Sequence, residues 1–190
     1  MAGAVVVAGS VLAAADSSPE QQAVKADQEL ARLLVKLEKR TRQVIAKHYS
    51  RPQAGGSEAT SEYKQALIEN RILPAAVADP IFSEVVPSAT GGRAWVRMVV
   101  PEPRNPNNRG DTIALELIDE LAQGPSHVER NTGEAYYYGE PIVAKAGCLV
   151  CHGAPAGEPD PYFSQFSKNG WEPGQVVGGV VARVARAPAD

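Results

Sequence analysis

The pentapeptide Cys148-Leu149-Val150-Cys151-His152 constrains this chain more than any other stretch, because it holds both cysteines and one of the three histidines. Two thiols separated by two residues, with an imidazole directly after the second, is the spacing of covalent c-type haem attachment. The sulfurs add across the two vinyl groups of one porphyrin edge, and the imidazole falls beneath the iron as an axial ligand. Cys148 and Cys151 are therefore expected to carry one haem c, with His152 as the proximal ligand. Three other uses of these residues compete. A thioredoxin-like dithiol needs a strand running into a helix N-terminus in a βαβ unit; here Gly147 precedes the first cysteine and no parallel crossover is expected after the second. A zinc site needs four ligands, and only His48 and His127 remain as nitrogen donors. A disulfide across so short a loop closes a strained ring. The haem reading is the strongest of the four.

A chain of 190 residues with 44% hydrophobic and 22% charged residues has the material for one domain and a terminal extension, which rules out wholesale disorder. Its net charge of −3 leaves no basic footprint for nucleic acid. Residues 1–15 form a small, apolar run ending in Ala13-Ala14-Ala15. That run is too short to span a bilayer and has the character of a signal peptide cleaved before Asp16, although no basic residue precedes Lys25. The expectation is export to the periplasm or an equivalent compartment, where c-type attachment is made. No other stretch is apolar and long enough to be a membrane span.

Ser18-Pro19-Glu20-Gln21 reads as a helix start, with Ser18 as N-cap and Gln21 closing a capping box. The spacing predicts a helix to about Tyr49, with Leu30, Leu34, Leu37, Val44 and His48 as its inward stripe. A second helix is expected from Glu58 to about Asn70. Pro74, Pro80 and Pro87 are expected to break up the segment after it. A strand over 93–100 should place Trp95, Arg97 and Val99 on one face and Ala94, Val96 and Met98 on the other. After a proline-rich loop, Asp111 caps a helix to about Gln123, and a hairpin turns at Asn131-Thr132-Gly133-Glu134. In that hairpin Tyr136 and Tyr138 share a face opposite Tyr137. Residues 154–175 read as irregular, and 176–184 as a last strand whose Gly178-Gly179 pair marks a bulge or a close backbone approach. The order of elements predicts an α+β fold, a mostly antiparallel sheet with helices packed on one side.

A haem iron held by His152 has a second axial position. His48, on the apolar stripe of the long helix, is the first candidate, since burying an unpaired imidazole is costly and ligation would satisfy it. Met98 is the second, although its phase with Val96 also suits packing. His127 starts a strand and is expected at the surface, and Met1 leaves with the signal. An open or water-filled position is the remaining alternative.

From Arg93 onward the sequence resembles a family of single-haem, PAS-like c-type cytochromes, found as free periplasmic proteins and as sensor ends of histidine kinases and chemoreceptors. The resemblance is carried by Arg97, by Arg104-Asn105-Pro106-Asn107-Asn108, by Glu116 and Leu117, and by Tyr138 with Pro141. It continues through Cys148 to Gly153, Gly170, and Gly174 to Gly179. It implies a PAS-like domain over 57–190 behind an N-terminal helix within 16–56, with haem between sheet and helices. It also implies that Arg104 contacts the sheet or a haem propionate. Some relatives supply a Cys or Met from the helical region as sixth ligand; Ala75-Ala76-Val77-Ala78 offers none here. The expected function is electron transfer by a periplasmic monohaem cytochrome. The alternative is a redox or diatomic-gas sensor that signals through a separate protein, since no kinase or cyclase sequence follows Asp190. No paired carboxylates or activated nucleophile accompany the motif, so an enzyme is not expected.

Overall fold

The computed structural model describes residues 18–48, 74–163 and 165–186. The expected signal segment 1–15 and the expected helix over 58–70 lie outside the described residues. The elements are α1 (Pro19–His48), α2 (Pro74–Ala89), β1 (Ala94–Val99), a 3-10 turn (Pro106–Asn108), α3 (Thr112–Leu121), β2 (Val128–Asn131), β3 (Ala135–Val143), α4 (Ala146–His152) and β4 (Val176–Ala185). The four strands form one antiparallel sheet in the order β1-β4-β3-β2. This is the expected α+β class, and the arrangement is PAS-like.

Local chemistry sets the boundaries. The capping box forms as the sequence implies: Ser18 N–H donates to Gln21 Oε1 at 2.9 Å, and Gln21 N–H to Ser18 Oγ at 3.3 Å. Asp111 caps α3 by accepting from Ala114 N–H at 2.8 Å. The hairpin turns on Gly133 at φ +89°, with Asn131 Oδ1 accepting from Gly133 N–H. Gly178 and Gly179 mark a close approach: a Cβ on Gly178 would lie 2.4 Å from the Val99 carbonyl oxygen. The β3–β4 register also shifts there, between Ile142 and Val143.

Two expectations change. The segment with Pro74, Pro80 and Pro87 is a helix, not an irregular stretch. Pro74 occupies the first turn, where its missing N–H costs nothing, whereas Pro80 and Pro87 lie inside the helix. Ala78, Phe82 and Val86, spaced four residues apart, are all buried, and that burial outweighs the breaks at Pro80 and Pro87. The buried face of α1 is also rotated from the expected stripe. It runs through Asp27, Ala31, Leu34, Val35, Glu38 and Ile45, whereas Leu37 and Val44 are 51% and 43% exposed. Counting only large apolar residues misplaced it, because a small alanine and two carboxylates lie on the inner side.

Sheet alternation divides the core. Ala94, Val96, Tyr136, Tyr138, Val180, Ala182 and Val184 face α1 and α2. Val99, Tyr137 and Val181 face α3 with its Leu117, Ile118 and Leu121. The tyrosines split as their period demands. The helices are not all on one side as expected: α1 and α2 pack together on one face of the sheet, and the ten-residue α3 covers the other, because both faces of the strands carry apolar residues.

Candidate functional site

α1 lies along the sheet, and two contacts fix its direction. Arg93, at the start of β1, reaches Asp27 at 3.4 Å and donates to the Ala185 carbonyl at 3.3 Å. Lys39, twelve residues further along α1, pairs with Glu140 at 2.5 Å. Glu140 is opposite Val180, which is opposite Met98. Twelve helical residues advance about 18 Å, close to the about 17 Å spanned by the five strand rows between Ala185 and Val180. α1 then continues nine residues to His48, while β3 runs from Glu140 into α4. The C-terminal end of α1, Met98 and the motif helix therefore gather at one end of the sheet. His48 ends α1, and its side chain lies outside the described residues. Met98 is half-buried on the α1 face. His127 is exposed, stacks on Tyr138 at 5.6 Å between ring centroids, and immediately precedes the outer strand β2.

Cys148, Cys151 and His152 sit on α4, a seven-residue helix begun by Lys145. The chain reaches it from β3 and leaves it toward β4, the antiparallel neighbour of β3, so the motif is not part of a parallel βαβ unit. Both cysteines are half-buried free thiols. Burial first, and the nearby Asp160 carboxylate second, push the Cys151 thiol up to about 11. A dithiol nucleophile needs the opposite shift. Val150, between the cysteines, is 46% exposed, and Val143, just before the helix, is 37% exposed. Apolar surface is thus presented beside the thiols.

The imidazole is oriented. His152 Nδ1 lies 2.6 Å from Asn169 Oδ1, and its ring stacks on Trp171 with centroids 4.2 Å apart and planes 11° from parallel. An amide oxygen can only accept, so Nδ1 carries the proton and the Nε2 lone pair is left for a metal. Burial pushes the imidazolium pKa down, which keeps the ring neutral at neutral pH. This is the donor state and outer-sphere support that a ligating histidine requires. The thiols, the oriented imidazole and the apolar valines fit a haem attached through thioethers. Among the described residues no group of three or more His, Cys, Asp and Glu side chains is arranged to hold a metal ion.

The 154–175 loop returns to the motif. Trp171 N–H donates to the His152 carbonyl at 2.8 Å, and Gly170 N–H to the Gly153 carbonyl at 3.2 Å. Gly170 is required there: its φ is +79°, and a Cβ would lie 2.8 Å from Ala156 Cβ. Arg104, read from sequence as a sheet or propionate contact, ties the two pieces together. Its guanidinium donates to Asp160 Oδ2 at 2.6 Å, the Cys151 carbonyl at 2.7 Å and the Ser167 carbonyl at 2.5 Å, and lies over Phe166. The Asp160 side chain is fully buried. Burial alone would raise its pKa, but Tyr162 N–H, Arg104 and Phe163 N–H together hold the carboxyl below its ordinary value. Asp160, Asn169 and Trp171 escaped the sequence reading because they lie on a proline- and glycine-rich loop with no periodicity. Their only signal was their closeness in sequence to the motif.

A PAS-like α+β domain with a Cys-x-x-Cys-His helix at one end of its sheet defines the class. The family model described as Tll0287-like matches residues 20–185, and the chain belongs to the Tll0287-like family. Among solved structures it is similar to the cyanobacterial haem protein Tll0287, with a TM-score of 0.59 and 19% identity over 92% of this chain and 100% of that one. At this identity the similarity establishes the shared fold. No curated protein matches the chain.

Proposed function

We propose that this chain is an exported single-haem c-type cytochrome that transfers electrons. Cys148 and Cys151 hold the porphyrin by thioethers, and His152 Nε2 ligates the iron. The observation that carries the reading is the His152–Asn169 contact, which leaves Nε2 as the free donor beside two thiols at attachment spacing. Membership of the Tll0287-like family and the shared fold with a haem protein point the same way. When bound, the haem supplies reversible one-electron chemistry. The protein's own work is positional. Asn169 and Trp171 fix the plane of the imidazole, and Arg104 clamps the carbonyl end of the motif helix to the loop that carries both. His48, which ends α1, and Met98, on the face of β1 toward α1, are the candidate sixth ligands in this reading, and two strong ligands suit a carrier. Residues 1–15 act as the export signal in this reading.

The second reading, a redox or gas sensor acting through a partner protein, draws on the PAS-like fold, and a fold by itself supports function only by analogy. Optical spectra of the ferric and ferrous protein, with and without carbon monoxide, separate the two. An electron carrier gives a ferrous spectrum that carbon monoxide leaves unchanged; prompt binding overturns the carrier reading in favour of the sensor.

A further inference from the structure

We propose that Glu38 is a proton-binding site in the seam between α1 and the sheet, taking up one proton when the centre at that end of the molecule accepts one electron. The coupling half of this rests on the haem reading above; the proton site itself does not. Glu38 is 1% exposed, and its Oε2 is buried with no hydrogen-bond partner among the described residues. Oε1 accepts from Arg42 Nε, and the same guanidinium donates through Nη2 to Asp79 on α2. One cation therefore serves two carboxylates.

Among the described residues no other charge nearby restores the balance. Lys39 is committed to Glu140, whose other oxygen accepts from Tyr138 Oη at 3.1 Å. Further along α1, Arg32 is held by Glu129, and Asp27 by Arg93. From α2 the titratable group is Asp79, and from β3 they are Glu140 and Tyr138. β1 and β4 turn Ala94, Val96, Met98, Val180, Ala182 and Val184 toward the helices, none of which titrates in this range. Burial raises the proton affinity of Glu38 and Asp79 adds to it, while Arg42 and Lys39 oppose. A buried carboxylate with half a partner is an expensive charge, and one proton removes it.

Position supplies the coupling. Glu38 precedes Lys39, so it lies level with the Met98–Val180–Glu140 row, at the end of the sheet from which the motif helix departs. An electron added there raises the cost of a second negative charge in a poorly screened interior. A one-electron reductant supplies the electron and water the proton. Glu38 passes from carboxylate to carboxylic acid, and no other bond forms or breaks.

The experiment compares the mature wild-type protein with E38Q and D79N, after the ferrous spectrum has reported whether haem is attached. In wild type the midpoint potential falls as pH rises through the Glu38 titration, and redox-difference infrared spectra of glutamate-labelled protein show a protonated-carboxyl band in the reduced state. E38Q loses both, and D79N moves the pH window downward because Arg42 then serves Glu38 alone. A pH dependence that survives unchanged in E38Q, or a missing carboxyl band, overturns the coupling. The proton site has a separate readout. A raised folded-state pKa means that stability falls as pH rises above the ordinary glutamate value of 4.5. Denaturant titrations should show that slope in wild type and its reduction in E38Q; equal slopes overturn the site whether or not haem is present.

Discussion

Replacing Arg104 with alanine leaves the Asp160 carboxylate buried without its cation and cuts the motif helix loose from the loop that orients its histidine. Breaking a buried ion pair by removing one partner costs about 3–5 kcal/mol. The lower end applies, because Asp160 Oδ1 keeps the Tyr162 and Phe163 N–H groups, at 2.8 and 3.1 Å, and Arg104 is itself 17% exposed. The Cys151 and Ser167 carbonyls lose donors too, but each can turn to water at a cost of about 1 kcal/mol or less. The expected loss is about 3 kcal/mol, which at about 2–4 °C per kcal/mol for a chain this size lowers Tm by about 6–12 °C. Urea denaturation of wild type, R104A, D160A and the double variant closes the cycle, with an expected coupling of about 2 kcal/mol or more. Acid adds a second check. A depressed folded-state pKa means that Asp160 stabilises the fold above its ordinary value of 3.8 and loses that contribution as pH falls through its folded-state pKa. R104A should blunt this acid-side loss. Additive single effects, or a loss below about 1 kcal/mol in R104A, would refute the clamp.

Other perturbations probe separate links. In the proposed cytochrome, N169L removes the acceptor that would make His152 a better donor to a ferric centre, so the midpoint potential should rise; spectroelectrochemistry checks this, and an unchanged potential contradicts the orienting role. C148A/C151A should release its colour into acidified organic solvent, where wild type retains it. G178A sets a Cβ 2.4 Å from the Val99 carbonyl oxygen and 3.2 Å from Val100 Cγ2. It should destabilise by about 1–3 kcal/mol in a denaturant titration, and a variant within about 0.5 kcal/mol of wild type would mean that the strands can part there.

Much of the fold was legible because it is local. Ser18 and Gln21, Asp111, and the Asn131–Glu134 turn each specify a boundary through their own hydrogen bonds, and strand alternation sorted Trp95 from Val96 and Tyr137 from its neighbours. The failures came where tertiary burial overrode local preference. Phe82 and Val86 hold α2 helical despite three prolines, and Glu38 and Ala31 lie inward on α1 while Leu37 faces solvent. At the site, the motif gave the three residues to which the proposed function assigns the chemistry. It could not give the groups that hold them. Asp160, Asn169 and Trp171 are brought back by loop hydrogen bonds that leave no period in the sequence.

Intact and peptide mass spectrometry of the exported, mature polypeptide tests the central assignment most directly. The account predicts a mass increased by one haem, carried on the peptide that contains both Cys148 and Cys151. A mature chain with two unmodified thiols, produced by a host that completes c-type attachment on a control protein, would contradict it.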